Sequence, residues 1–143
     1  MVCVTDQLPY TDELLVQTTA PPERVWTSLI TDLPRMSAAG RTLARALGCE
    51  PASGTPAFTG SPGDTIPGFR VVDAAAGERL MLEGRHRFSR YRLEFLVDDR
   101  HLRARTHAAF PGWHGRLYRT AVIGSGAHRL ITRSWLHRIA RAA

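Results

Sequence analysis

FPGWHGRLYRTAVIGSGAHRLITRSWLHRIARAA, residues Phe110 to Ala143, opens on a Pro-Gly stop and then runs to the end without another proline. The stretch predicts one long C-terminal helix. At about 100° per residue, Trp113, Leu117, Ala121, Gly124, His128, Ile131, Trp135 and Ile139 fall in a single stripe, while Arg116, Arg119, Arg129, Arg133, His137 and Arg141 cluster opposite. Such a helix has one face to bury and one to leave in water. Truncating a buried Ile131 to alanine would then cost roughly 2 to 5 kcal/mol. His128, an ionisable ring near the middle of the stripe, is the residue out of place.

What the stripe covers lies upstream. Four short strands are predicted in quick succession, Phe69–Ala74, Arg79–Phe88, Tyr91–Val97 and Leu102–Phe110, joined by connections short enough for hairpins at 75–77, 89–90 and 98–101. Alternation sorts their side chains. Leu80, Leu82, Gly84, His86 and Phe88 share one face with Tyr91, Leu93, Phe95 and Val97 and with Leu102, Ala104, Thr106, Ala108 and Phe110. Arg79, Glu83, Arg85, Arg87, Arg92, Glu94, Arg103, Arg105 and His107 share the other. An antiparallel sheet with one apolar and one arginine-studded face needs a cover, and the C-terminal helix supplies it.

The N-terminal half frames this layout. Glu13–Ala20 reads as a first strand with Leu14, Val16, Thr18 and Ala20 on one side. Pro21 and Pro22 stop it and start a helix over Glu23–Leu33, which Pro34 is expected to end. A second helix is predicted over Ser37–Leu47, with Ser37 as N-cap and Gly48 at its C-terminal turn. From Cys49 to Gly68 the composition turns to Pro, Gly, Ser and Thr, a long loop with a short strand near Ala57–Thr59.

The totals narrow the function classes. A chain of 143 residues suits a single domain, 1–143, and no apolar run approaches the roughly 20 residues of a membrane span. The N-terminus has no secretory pattern, and Cys3 and Cys49 stand far apart outside any metal spacing, so a soluble cytoplasmic protein with reduced thiols is expected. The net charge of +6 invites nucleic acid. Yet all 19 basic residues are arginine, spread from Arg24 to Arg141 among acidic neighbours without a tail or run, which argues for a solvated face instead.

APPERVW (Ala20–Trp26) after the first strand, then a short helix, a loop, a meander and one final helix, resembles the START-like superfamily, also called SRPBCC or helix-grip. The stretches GRHRFSRYRLEF (Gly84–Phe95) and FPGWHGRLYRTAVIGSGAHR (Phe110–Arg129) look like a bacterial subgroup of it. The resemblance implies an α+β fold: a curved antiparallel sheet wrapped around a long C-terminal helix, with two short helices after strand 1. It also implies an elongated apolar pocket for a lipid, sterol, polyketide or hormone. Some members are cyclases or dehydrases, but no signature of such a mechanism stands in this chain, and the fold names a pocket rather than a substrate.

The predicted interior holds a few polar groups, His86, Tyr91, Thr106 and His128, in an otherwise apolar lining, as a small-molecule site would. Gly84 and Gly124 could leave volume on opposite walls, with a helix kink or close packing against a strand as the alternative reading of Gly124, and Trp113 could gate the entrance. The candidate ligand-binding residues are therefore His86, Tyr91, Thr106, Trp113, Gly124 and His128. Two alternatives stay open for His128, a core histidine bonded to a hydroxyl or a ligand contact. An acid/base role for it, with Tyr91 assisting, is the enzymatic alternative. Asp73 is the only carboxylate the alternation could place inside. No cofactor or metal is expected, since the six histidines lack zinc-like spacing. A third possibility is an interaction protein that uses Arg85, Arg87, Arg92, Arg103 and Arg105 on an acidic partner; its bland counterpart is a face neutralised by Glu83 and Glu94.

Overall fold

The structure, a computed structural model, describes residues 10–109, 116–118, 120 and 127–143, with the backbone alone at Tyr10, Thr11, Ala127 and His128. Strand β1 (Tyr10–Gln17) leads into helices α1 (Pro22–Ala38) and α2 (Arg41–Ala46). Then come β2 (Thr65–Ile66), β3 (Phe69–Ala75), β4 (Arg79–His86), β5 (Ser89–Val97), β6 (His101–Ala109) and a final helix α3 (Ala127–Ala142). The strands form one antiparallel sheet in the order β1-β6-β5-β4-β3-β2. With α3 and α1 packed together over one face, this is a helix-grip fold.

Alternation decides the sheet's faces as expected. Leu14 and Val16 from β1, Leu80 and Leu82 from β4, Leu93, Phe95 and Val97 from β5, and Leu102, Ala104, Thr106 and Ala108 from β6 are all buried. All but Thr106 and Ala108 join Val25, Leu29 and Leu33 of α1 and Leu136 and Ile139 of α3 in one core. Each fully buried side chain of this size contributes about 1.5 to 3 kcal/mol, so the interlayer contact is the principal source of stability. A buried hydroxyl adds direction to it: Ser28 in α1 donates to the Ile139 carbonyl of α3 at 2.7 Å.

Several boundaries depart from the sequence reading. Helix α1 passes through Pro34 and ends at Ala38, because the turn beyond the proline still buries Met36 and Ser37 and packing outweighs one missing amide bond. Ser37 is therefore in the last turn of α1 and caps nothing; Gly40 occupies the N-cap of α2. Gly48, with φ of 70°, does close α2, its N–H meeting the Arg45 carbonyl. In the long loop the short strand is Thr65–Ile66 rather than 57–59, where Ala57 takes a left-handed φ of 54° and Asp64 gathers the Thr59 and Ser61 amides into a turn.

The described part of the final helix has its buried face turned from the expected stripe. Its described length begins at Ala127, although 116–118 are also helical, and of the expected stripe Trp113, Ala121 and Gly124 lie outside the described residues. Thr132, Leu136 and Ile139 are buried with Trp135 partly so, whereas Ile131 is 55% and Leu117 62% exposed. The cost expected for truncating Ile131 therefore belongs to Leu136 instead.

Candidate functional site

Between the sheet, α2 and α3 a cavity of about 250 Å³ remains. Its floor is the inner face of β4, β5 and β6, through His86, Ser89, Tyr91, Leu93, Thr106 and Ala108. Leu43 and Ala44 of α2 and the Leu47 that follows it wall one side, and Ile131, Thr132 and Trp135 of α3 wall another. Leu43, at 63% exposure, and Ile131 both line the cavity and reach solvent, so they mark its apolar mouth. Pro67, Gly68 and Phe69 complete it together with Cys49 and Tyr118.

His86 is fixed by its neighbours. It ends β4, paired with Ser89, so the two-residue turn is Arg87–Phe88 and not 89–90 as the sequence suggested. The Phe88 N–H donates to His86 Nδ1 at 3.0 Å, and Nε2 lies 3.3 Å from Ser89 Oγ. With Nδ1 accepting, the neutral ring carries its proton on Nε2 and donates to the serine. Among the described residues three rings stand around it, with Tyr118 4.7 Å, Tyr91 5.6 Å and Phe88 6.1 Å away centre to centre. Burial pushes the imidazole below its ordinary pKa.

This tautomer limits the chemistry. A Ser-His nucleophile needs Nε2 free to take the serine proton, and here Nε2 already holds one. Among the described residues no carboxylate lines the cavity either. Asp73 follows a bulge between Val71 and Asp73 and stands opposite Met81 on the outer face, ion-paired with Arg79, so it is not an interior carboxylate. Tyr91 is committed as well: its hydroxyl donates to the Gly68 carbonyl at 2.7 Å, its ring meets Phe69 edge-on at 5.1 Å, and burial raises the phenol's pKa. Cys49 Sγ lies 3.9 Å from the Tyr91 hydroxyl, and burial likewise keeps that thiol protonated.

Gly84 serves this arrangement differently than the sequence suggested. A Cβ there would stand 2.0 Å from the Gly68 carbonyl oxygen and 2.7 Å from the Tyr91 ring. The absent side chain makes room for a loop crossing the sheet and not for open volume, and the cross-strand partner Tyr91 lies over the gap.

Of the residues singled out from sequence, the structure brings His86, Tyr91 and Thr106 to one cavity. Trp113 and Gly124 lie outside the described residues, as does the side chain of His128, whose backbone sits in the first turn of α3. Ser89, Cys49, Tyr118 and Thr132 are lining residues that sequence reasoning does not single out. For Ser89 a signal exists, since two-residue periodicity counted back from Tyr91 places it on the inner face rather than in the turn.

The outer face is largely neutralised. Arg92 pairs with Glu83, Arg85 with Glu50 at 2.6 Å, Arg103 and Arg105 with Glu13 at 3.0 and 3.2 Å, and Arg105 with Glu94 at 3.7 Å. A larger hollow of about 550 Å³ lies there, but its walls are mostly these charged side chains with Arg70 and Arg90. The inner cavity, with its apolar lining, is the better ligand site.

The buried imidazole makes stability depend on pH in a defined direction. Above about pH 6.5 His86 is neutral folded and unfolded and contributes no slope. As pH falls, the unfolded chain takes up the proton first while the native ring resists, so stability declines from about pH 6.5 to the lowered native pKa and is flat below it. Among the described residues the facing titratable groups are Tyr91, Tyr118 and the Tyr91-bonded Cys49, whose pKa values burial raises further above this window. Urea midpoints at pH 7.5 and 5.0 should differ more for the native chain than for His86→Gln; equal differences would refute the assignment.

No protein-family model and no curated protein matches the chain. Solved structures do. Protein CV1439 from Chromobacterium violaceum is similar over 93% of this chain and 96% of its own, at 16% identity and a TM-score of 0.55. Ms6760 from Mycobacterium smegmatis matches over 93% and 96% at 14% identity and a TM-score of 0.51. MLL2253 from Mesorhizobium loti matches over 92% and 96% at 14% and 0.50. At such identities the likeness is one of fold. Among the described residues no helix is long and apolar enough to cross a membrane.

Proposed function

We propose that this chain binds a small apolar or amphipathic molecule in the cavity between the sheet and α3, with His86, Tyr91 and Thr106 at its polar end. The observation that carries the reading is the lining: a cavity of about 250 Å³ walled mainly by leucine, alanine, isoleucine and aromatic side chains, with a few polar groups among them, of which His86, Ser89 and Tyr91 are neighbours. His128 remains a candidate contact because its backbone lies one turn before Ile131 and Thr132, both on the cavity wall. Binding is favoured over turnover, since the Tyr91 proton is already held by a backbone carbonyl and the cavity offers His86 no carboxylate among the described residues.

A thermal-shift screen of small apolar compounds, with hits confirmed by native mass spectrometry, tests this. Saturating a site at about 100 times its Kd stabilises the fold by about 2.7 kcal/mol, a readily measured rise in Tm. Ala108→Phe should fill the cavity from its floor and abolish the shift. Hits that stabilise this variant as much as the native chain would show that they bind elsewhere.

A further inference from the structure

The lining also sorts candidate ligands by charge and by hydrogen-bond direction, given that the cavity binds a small molecule as proposed above. Among the described residues it contains no Asp or Glu, and the guanidinium of Arg92, its one permanently charged member, is bonded to Glu83 on the opposite face of the sheet. The His86 ring is neutral because Nδ1 accepts the Phe88 amide. None of these described groups would compensate an ionised ligand, and an unpaired carboxylate or ammonium is costly to remove from water.

Hydrogen-bond direction follows from the same tautomer. His86 Nε2–H donates to Ser89 Oγ, which occupies an acceptor site of the hydroxyl and leaves its own O–H to donate elsewhere. Ser89 is buried on the cavity floor, and no other partner for that hydrogen stands among the described residues. The Tyr91 hydroxyl, by contrast, has its hydrogen on Gly68. A volume of about 250 Å³ falls just under the roughly 300 to 1,000 Å³ usual for ligand pockets, enough for one or two fused rings but not for a sterol or a phospholipid.

We propose that the cavity selects an uncharged molecule of one or two rings bearing a carbonyl-type acceptor, and that Ser89, oriented by His86, donates the hydrogen bond that recognises it. Three matched probes test this by calorimetry on the intact chain: 1-tetralone, tetralin and 1-naphthoate. Tetralone should bind at least about tenfold more tightly than tetralin, against its lower hydrophobicity, and naphthoate should show no binding. Ser89→Ala should bring tetralone down to the value that tetralin shows for the same variant, and its far-UV circular dichroism and urea midpoint report that it is folded. Equal affinities of tetralone and tetralin for the native chain would overturn the role of Ser89, and naphthoate binding as well as tetralone would overturn the selection for neutral ligands. In both cases tetralin binding leaves the cavity reading standing. If none of the three binds, that reading and this one fall together.

Discussion

Replacing Gly84 with alanine is expected to lower the unfolding free energy by about 3 kcal/mol or more, the upper end of what overpacking costs. The reason is the kind of atom in the way. A new Cβ would meet the Gly68 carbonyl oxygen at 2.0 Å, and a backbone atom cannot swing aside as the end of a flexible side chain can. Relief would require the 67–68 crossing to lift off the sheet, breaking the Tyr91 hydrogen bond and opening one wall of the cavity. Gly63→Ala is the control. Among the described residues no atom lies within 4 Å of where its Cβ would stand, and only its φ of 96° resists the change, at roughly 1 to 2 kcal/mol. Urea denaturation of both variants decides the matter. Equal, small losses would mean that the loop moves freely and that Gly84 is not what seats it.

The second large effect separates two neighbouring faces of α3. Leu136→Ala should cost about 2 to 5 kcal/mol, because Leu136 is fully buried between α1 and the sheet. Ile131→Ala should cost less than about 1 kcal/mol in the free protein, as a side chain that is 55% exposed loses little burial. The order inverts what the sequence periodicity implies. Denaturation midpoints of the two variants therefore test the helix phase directly, and a larger loss at Ile131 would restore the original stripe.

That inversion shows where sequence reasoning holds. In β4, β5 and β6 the side-chain period is two, so a turn misplaced by two residues, as at Arg87–Phe88, leaves every assignment of face unchanged. Leu82, Phe95 and Ala104 go to the interior for this reason, and so do His86, Tyr91 and Thr106. Helix phase is less forgiving. The stripe extends from Trp113 through Gly124 to Ile139 only if the helix is unbroken, and an error of one residue turns the face by about 100°. Trp135 and Ile139 survive it; Ile131 leaves the buried face and Leu136 enters it. Asp73 is displaced by a bulge, an extra residue that alternation cannot register. The contributions of α2 and Cys49 depend on how the long loop returns to the sheet, and nothing in its local composition specifies that path.

The sheet order has a consequence for assembly. Hairpins β3–β4, β4–β5 and β5–β6 each close over a few residues, but β1 lies beside β6, with Glu13 opposite Arg105. Joining them closes a loop of about 90 residues, an entropic cost on the order of 4 kcal/mol by the (3/2)RT ln n rule. Of the described strands, the earliest in the chain is thus the one whose partner is made last, and the meander can form before the two meet. Until then Leu14 and Val16 have no sheet neighbour.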